Sequence, residues 1–342
     1  MSNPSQMRRE VEEIPQAVDR LLTEGQVAVD ATAAEIAKRD PRFLLTVARG
    51  SSDHACTYLK YASELLLGLP VASVGPSVAS IYHAPLRVDG SLCIAVSQSG
   101  KSPDIVDLTR AVRTGGAYAV AVTNNAASPL SEAASATLDI HAGPELSVAA
   151  TKTFVTSAVA GLWLLARLKG DEALLKAIAG LPAELERATR ADWSAVEATV
   201  SPDRSLYTLG RGPSWAISNE AALKFKETCQ IHAESFSSAE VLHGPVSIVG
   251  GGFPVLAFAA ADAAEPVLVE VADAIARKGA QVFVTSARAQ HATPIEAVRT
   301  GHWLTDPIAL IVSFYAMVER IAVGLGIDPD APRHLNKVTE TV

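Results

Sequence analysis

The sequence holds only three cysteines in 342 residues, Cys56, Cys93 and Cys229. The number is odd and no two are closely spaced, so neither a disulfide framework nor a zinc pattern follows. Eight histidines are scattered with no pair at i, i+4, and a metal site is not indicated. Aromatic residues make up 5%, against an apolar fraction of 49% dominated by Ala, Val and Leu. That composition suits close-packed α/β layers better than a β-sandwich. The formal net charge is −8 and no basic stripe is present, which argues against a nucleic-acid partner. The uncharged apolar stretches Thr153–Ala166 and Pro307–Val318 are too short to span a bilayer and read as buried helices. The opening MSNPSQMRREVEE lacks an apolar core and is not a signal peptide. A cytoplasmic protein with no membrane partner is expected.

What is present is organised twice. Thr46, Arg49, Gly50 and Ser52 recur as Thr208, Arg211, Gly212 and Ser214, each set following an apolar run and preceding a helical pattern. This points to a duplicated domain. In the first half, strand patterns at Phe43–Ala48, Pro70–Val74, Leu92–Ser97, Tyr118–Thr123 and Thr137–His141 alternate with helical patterns at Ala55–Leu67, Pro103–Thr114 and Val148–Leu168. The second half offers strands at Leu206–Leu209, Val255–Ala259 and Gln281–Thr285. Alternation of this kind predicts a parallel sheet covered on both faces. The expected division is an N-terminal helical arm (1–30), a first domain (31–170), linker helices (171–203), a second domain (204–328) and a C-terminal tail (329–342).

In an open parallel sheet, ligands bind at the carboxyl ends of the strands. Three loops there are rich in small hydroxyl residues: Arg49–Ser52, Ser97–Ser102 and Ser147–Lys152. Hydroxyls and helix-start N–H groups can surround an anion. No Walker motif accompanies them and no Gly-x-Gly-x-x-Gly lies in them, so a dinucleotide is not favoured. For any one loop the alternative is an ordinary turn or cap. Lys152 either holds an anion or ties its own loop, and Arg211 reads as structural.

The segment Glu220–Pro245 concentrates polar chemistry in an apolar chain. Read as a helix, Glu220, Lys224 and Glu227 share one face, and Ile217, Ala221, Phe225 and Cys229 share another that would be buried. A carboxylate beside an ammonium, followed by His243-Gly-Pro, suits acid/base work on a small polar substrate. The other reading is a surface Glu–Lys pair contributing a few tenths of a kcal/mol. His232 reads as structural.

Ser97-Gln-Ser-Gly100, Ala149-Ala-Thr-Lys152 with Phe154, the Glu220–Pro245 segment and the tail Pro332-Arg-His-Leu-Asn-Lys337 together resemble the double sugar-isomerase (SIS) domain family. The likeness runs to the isomerase half of glutamine–fructose-6-phosphate amidotransferases and to the stand-alone glucosamine-6-phosphate deaminases. It implies two tandem SIS domains, each a three-layer αβα sandwich around a mainly parallel sheet of about five strands. It implies that Ser52, Ser97, Gln98, Ser99 and Ser102 bind a sugar 6-phosphate and that Val148 offers its backbone to the sugar. Glu227 matches the general base between C1 and C2. His243 matches a histidine of ring opening supplied by a neighbouring subunit, which makes a homodimer expected. Lys337 matches a lysine that assists ring opening, and Glu220 and Lys224 match further polar residues of the site. No cofactor is implied. The amidotransferases carry a glutaminase domain headed by a cysteine, whereas residue 2 here is serine, and His141–Glu145 is more like the deaminases. Conversion of glucosamine 6-phosphate to fructose 6-phosphate and ammonia is therefore the expected activity. The alternatives are another sugar-phosphate isomerase or deglycase, the isomerase-type subunit of a split aminotransferase, and a non-catalytic sugar-phosphate sensor.

Overall fold

The computed structural model of the protein describes residues 4–337. The chain opens with helices α1 (Gln6–Glu12), α2 (Ile14–Glu24) and α3 (Gln26–Arg39). There follow β1 (Phe43–Val47), α4 (Ser51–Leu66), β2 (Val71–Ser73), α5 (Ser77–Ser80), β3 (Ser91–Val96), α6 (Pro103–Thr114), β4 (Tyr118–Thr123), α7 (Pro129–Ala133), β5 (Ala136–Asp139) and α8 (Lys152–Lys169). Helices α9 (Glu172–Ala188) and α10 (Ser194–Glu197) lead to β6 (Leu206–Gly210), α11 (Pro213–Cys229), β7 (Ala233–Ser237), β8 (Pro254–Ala257), α12 (Glu265–Ala276), β9 (Gln281–Val284), β10 (Thr293–Pro294) and α13 (Asp306–Gly324). Contacts divide the chain into two compact units, each discontinuous in sequence. One comprises Gln16–Glu145, Lys152–Ala179 and the tail from Asn336. The other comprises the chain up to Pro15, Leu146–Thr151 and Gly180–Leu335.

Each unit holds one five-stranded parallel sheet, ordered β2-β1-β3-β4-β5 and β7-β6-β8-β9-β10. In each the second strand of the chain lies outside the first, and the third lies on its other side. The order reverses there, and a crevice opens at the carboxyl ends of the first and third strands. The central strands are apolar on both faces because helices cover both. Leu45, Val47, Cys93, Ala95, Ala119 and Ala121 share one core with Ile105, Leu108 and Val112 of α6. Their alternates Leu44, Leu92, Ile94, Val120 and Val122 are equally buried, on the opposite face.

The duplication extends to backbone angles. Gly50 and Gly212, which cap α4 and α11, have φ/ψ of 55/−133 and 58/−137. Only glycine adopts such a conformation without strain.

Several sequence expectations need correcting. Strand β5 ends at Asp139, because His141 has φ 47 and leaves the extended region. Helix α8 starts at Lys152 and not at Val148. Strands β7 and β10 are edge strands that the apolar pattern missed. Helix α13 has 19 residues, so by length and composition it could cross a membrane. Burial, not shortness, marks it as a core helix, since 83% of that window lies inside the fold.

Candidate active site

Small hydroxyl residues and the starts of two helices line the crevice of the first sheet. Helices α4 and α6 both start at it without a side-chain bond from the N-cap residue, although α6 opens with Pro103, which has no N–H, and its Ile105 N is taken by Asp104 Oδ1 at 2.9 Å. Arg49, at the end of β1, reaches the buried Asp104 in the first turn of α6 with Nε and Nη2 at 2.9 and 2.8 Å. The Ser97–Gly100 loop folds on itself: Ser97 Oγ accepts from Gly100 N at 3.2 Å and Ser99 Oγ from Lys101 N at 3.3 Å. As acceptors there, both hydroxyls keep their O–H to donate. Among the described residues no hydrogen bond engages the side chains of Ser52, Gln98 or Ser102. All five residues expected at a phosphate belong to this one crevice.

Gly100 permits the turn. Its φ is 64, and a Cβ there would sit 2.1 Å from Ser128 Oγ and 2.5 Å from Ser128 Cβ. Gly100→Ala must therefore displace the loop. We expect hexose-phosphate binding to weaken by at least about tenfold, with about 1–3 kcal/mol of lost stability. Calorimetric titration and thermal melting of the variant measure both.

The second crevice has the same backbone and the opposite chemistry. Strand register pairs Thr46 with Ile94 and Thr208 with Leu256, so both partners keep one offset. At that offset Ser97–Ser102 correspond to Ala259-Ala-Ala-Asp-Ala-Ala264, and the hydroxyls are gone. Arg299 closes the strand ends, donating to Ala259 O and Thr285 O, each at 2.9 Å. Its guanidinium is itself paired with Glu265 and Asp306. Arg211 donates to Ser237 Oγ, the structural role expected of it.

The third serine loop is no cradle either. Ser147 gives its backbone N–H and hydroxyl to Glu10. Lys152 is fully buried and donates to Pro144 O at 2.7 Å, so it ties its own loop. Val148 N donates to Asp330 O at 3.3 Å, which leaves the carbonyl as what Val148 can present to a sugar.

The acid/base cluster lies on α11. Ile217, Ala221, Phe225 and Cys229 form its buried face, as their spacing predicts, and Phe225 packs edge-on against Phe314 of α13 at 5.2 Å. The polar face is buried too, which overturns the surface-pair reading. Glu220 and Lys224 side chains are 0% exposed and Glu227 is 19% exposed. Lys224 Nζ stands 3.2 Å from Glu220 Oε1 and 2.5 Å from Glu227 Oε2. Tyr315 Oη donates to Glu220 Oε1 at 3.0 Å. Burial alone would depress the Lys224 pKa, but the two carboxylates outweigh it and hold it above the ordinary lysine value. Lys224 is therefore a fixed cation. Glu220 is locked by Lys224 and Tyr315, and Glu227 is the member that reaches solvent.

His243 follows a short 3-10 turn and is exposed, between exposed Leu242 and Ile248. His232 Nδ1 meets Ser205 Oγ at 3.1 Å. Lys337 Nζ pairs with the buried Glu145 at 2.8 Å, and Glu145 also accepts from Thr153 N and Oγ1. Burial would raise the Glu145 pKa, but Lys337 and Thr153 bring it below the ordinary 4.5. Sequence reasoning did not single out Glu145, Glu10 or Tyr315. Glu10 carried a signal, since it lies on the apolar stripe of Met7, Val11 and Ile14.

Comparison with known proteins bears on this arrangement. The SIS domain profile matches residues 39–167 and 200–319. A crystal structure from Silicibacter pomeroyi, provisionally named a phosphosugar isomerase, is 64% identical with a TM-score of 0.93, covering 95% of this chain and all of that one. The glutamine–fructose-6-phosphate aminotransferase (isomerizing) of Sulfolobus acidocaldarius is 31% identical over 98% of this chain. The chain spans 56% of that relative's length. The glucosamine-6-phosphate deaminase of Thermotoga maritima shares the fold, with a TM-score of 0.79 at 18% identity, covering 98% of this chain and all of that one.

Proposed function

Because the chain belongs to the SIS domain family and carries two SIS repeats, we propose that it is a sugar-6-phosphate isomerase whose reaction is deamination of glucosamine 6-phosphate. The carrying observation is the α11 cluster, in which one buried cation bridges two carboxylates and, of the three, only Glu227 reaches solvent. Aldose–ketose isomerisation removes a weakly acidic proton beside a carbonyl, and a carboxylate positioned on the substrate does this.

In the open chain of glucosamine 6-phosphate, C1 is an aldehyde and C2 bears the amine. Glu227 takes the C2 proton, and the electron pair moves toward C1 to give an enaminol. Return of the proton to C1 leaves an imine at C2. Water adds there and ammonia departs, giving fructose 6-phosphate. The serine loops take the phosphate. Lys337, held at 2.8 Å by Glu145, assists ring opening. Glu220 and Lys224 hold Glu227 in place. His243 supports ring opening in a second copy of the chain, a role suited to an exposed histidine between exposed Leu242 (49%) and Ile248 (61%).

A second reading is isomerisation of a hexose 6-phosphate without loss of nitrogen. The name of the 64% identical structure favours it, since it specifies no amine. Two incubations separate the readings, one with glucosamine 6-phosphate and one with fructose 6-phosphate. With glucosamine 6-phosphate and no glutamine, deamination releases ammonia and fructose 6-phosphate in equal amounts. No ammonia, with conversion of fructose 6-phosphate to an aldose phosphate, establishes the second reading. Tight binding without turnover of either sugar would mark a sensor.

A further inference from the structure

We propose that helix α1 is a working part of the sugar site and that Glu10 is a positioning residue, fixing loop 146–148 so that the Val148 carbonyl is held for a sugar hydroxyl. The inference rests on the reading above, in which Val148 serves the sugar.

The observations lie within one unit. Glu10 is 0% exposed. Its carboxylate accepts from Leu146 N, Ser147 N, Ser147 Oγ and Gln6 Nε2. Among the described residues no cation pairs with it. A buried carboxylate without a counterion is costly unless donors surround it, and three of these four donors belong to the loop. The next N–H along, Val148 N, goes to Asp330 O. The Asp330 carboxylate in turn accepts from Gln6 N at 2.6 Å and Met7 N at 2.7 Å, the first turn of α1. Ser5, the N-cap of α1, donates to Glu319 Oε1 at 2.6 Å. Three consecutive backbone N–H groups, 146 to 148, are thus held by α1 and by the segment that α1 clasps.

A leucine at position 10 would continue the apolar stripe of Met7, Val11 and Ile14, and would take the Glu10 acceptor away from the N–H groups of Leu146 and Ser147. The carboxylate therefore serves the loop and not the packing of the helix. Since the N–H of Val148 is engaged, the clamp also decides which backbone group the loop can offer.

The test uses the full chain and two ligands, fructose 6-phosphate and inorganic phosphate, titrated calorimetrically. In Glu10→Gln, fructose 6-phosphate affinity should fall about tenfold, while inorganic phosphate, which needs only the serine loops, binds as before. Amide exchange of residues 146–148 should quicken in the same variant. Ser147→Ala, which removes one donor and keeps Glu10, should move sugar affinity the same way by about threefold, and it decides the matter if Glu10→Gln does not fold. Unchanged sugar affinity overturns the proposal, as does an equal fall for both ligands, which would mark a purely structural role. A wild-type chain that binds no fructose 6-phosphate removes the functional reading and the inference with it. A wild-type chain that binds it, with Glu10→Gln binding as tightly, removes the inference alone.

Discussion

Glu227→Gln lowers kcat by about 10²–10⁴-fold, the range a positioned general base contributes, and leaves hexose 6-phosphate affinity nearly unchanged. The amide keeps the size and most of the shape of the carboxylate but cannot accept the C1/C2 proton at neutral pH. Lys224 keeps Glu220 as its counterion at 3.2 Å, so the helix retains a neutral buried pair. The serine loops are untouched. Steady-state kinetics with glucosamine 6-phosphate and fructose 6-phosphate, alongside calorimetric binding, separate the two effects. Turnover that survives intact in the variant contradicts the assignment. Equal loss of binding and turnover would mean that Glu227 holds the sugar and does not move its proton.

Lys224→Met has the largest expected effect on stability. It removes the one cation between two carboxylates, of which Glu220 is fully buried. Breaking a buried ion pair from one side costs about 3–5 kcal/mol, because the remaining charge is left without compensation. Thermal or urea unfolding should show the loss, and pairing Lys224→Met with Glu220→Gln should recover part of it. An undiminished melting temperature for the single variant contradicts the burial and charge state described above. The pH dependence has a definite sign. The folded-state pKa of Lys224 is raised above its ordinary 10.5. Its contribution is therefore fully present below that value and is lost only as pH rises through the folded pKa. Across the neutral range it should be constant.

Much of the fold is legible in the sequence because most of the strands are buried on both faces. Such strands read as short apolar runs, as at Tyr118–Thr123, which is β4 to the residue. Proline at N1 fixed the start of α6. The edge strands of the second sheet, β7 and β10, were illegible for the same reason. Strand β7 (AESFS) is half exposed and has no apolar run, and β10 is two exposed residues ending in proline. Helix phase identified the buried face of α11. It could not show that the opposite face was buried too, because that depends on Tyr315, a residue 95 positions away from Glu220. The serine loops posed the reverse difficulty. Ser97–Ser102 and Ser147–Lys152 are alike as sequence, yet one keeps its hydroxyl protons to donate and the other gives Ser147 to Glu10. Long-range partners decide what a polar residue is for, and local pattern does not contain them.

The central claim is that this protein moves a proton between C1 and C2 of a hexose 6-phosphate through Glu227. The direct measurement is proton NMR of fructose 6-phosphate incubated with the protein in D₂O. Deuterium should enter C1 with the wild-type chain and not with Glu227→Gln. A C1 proton signal that stays undiminished with the wild-type chain, while the sugar is bound, would contradict the account.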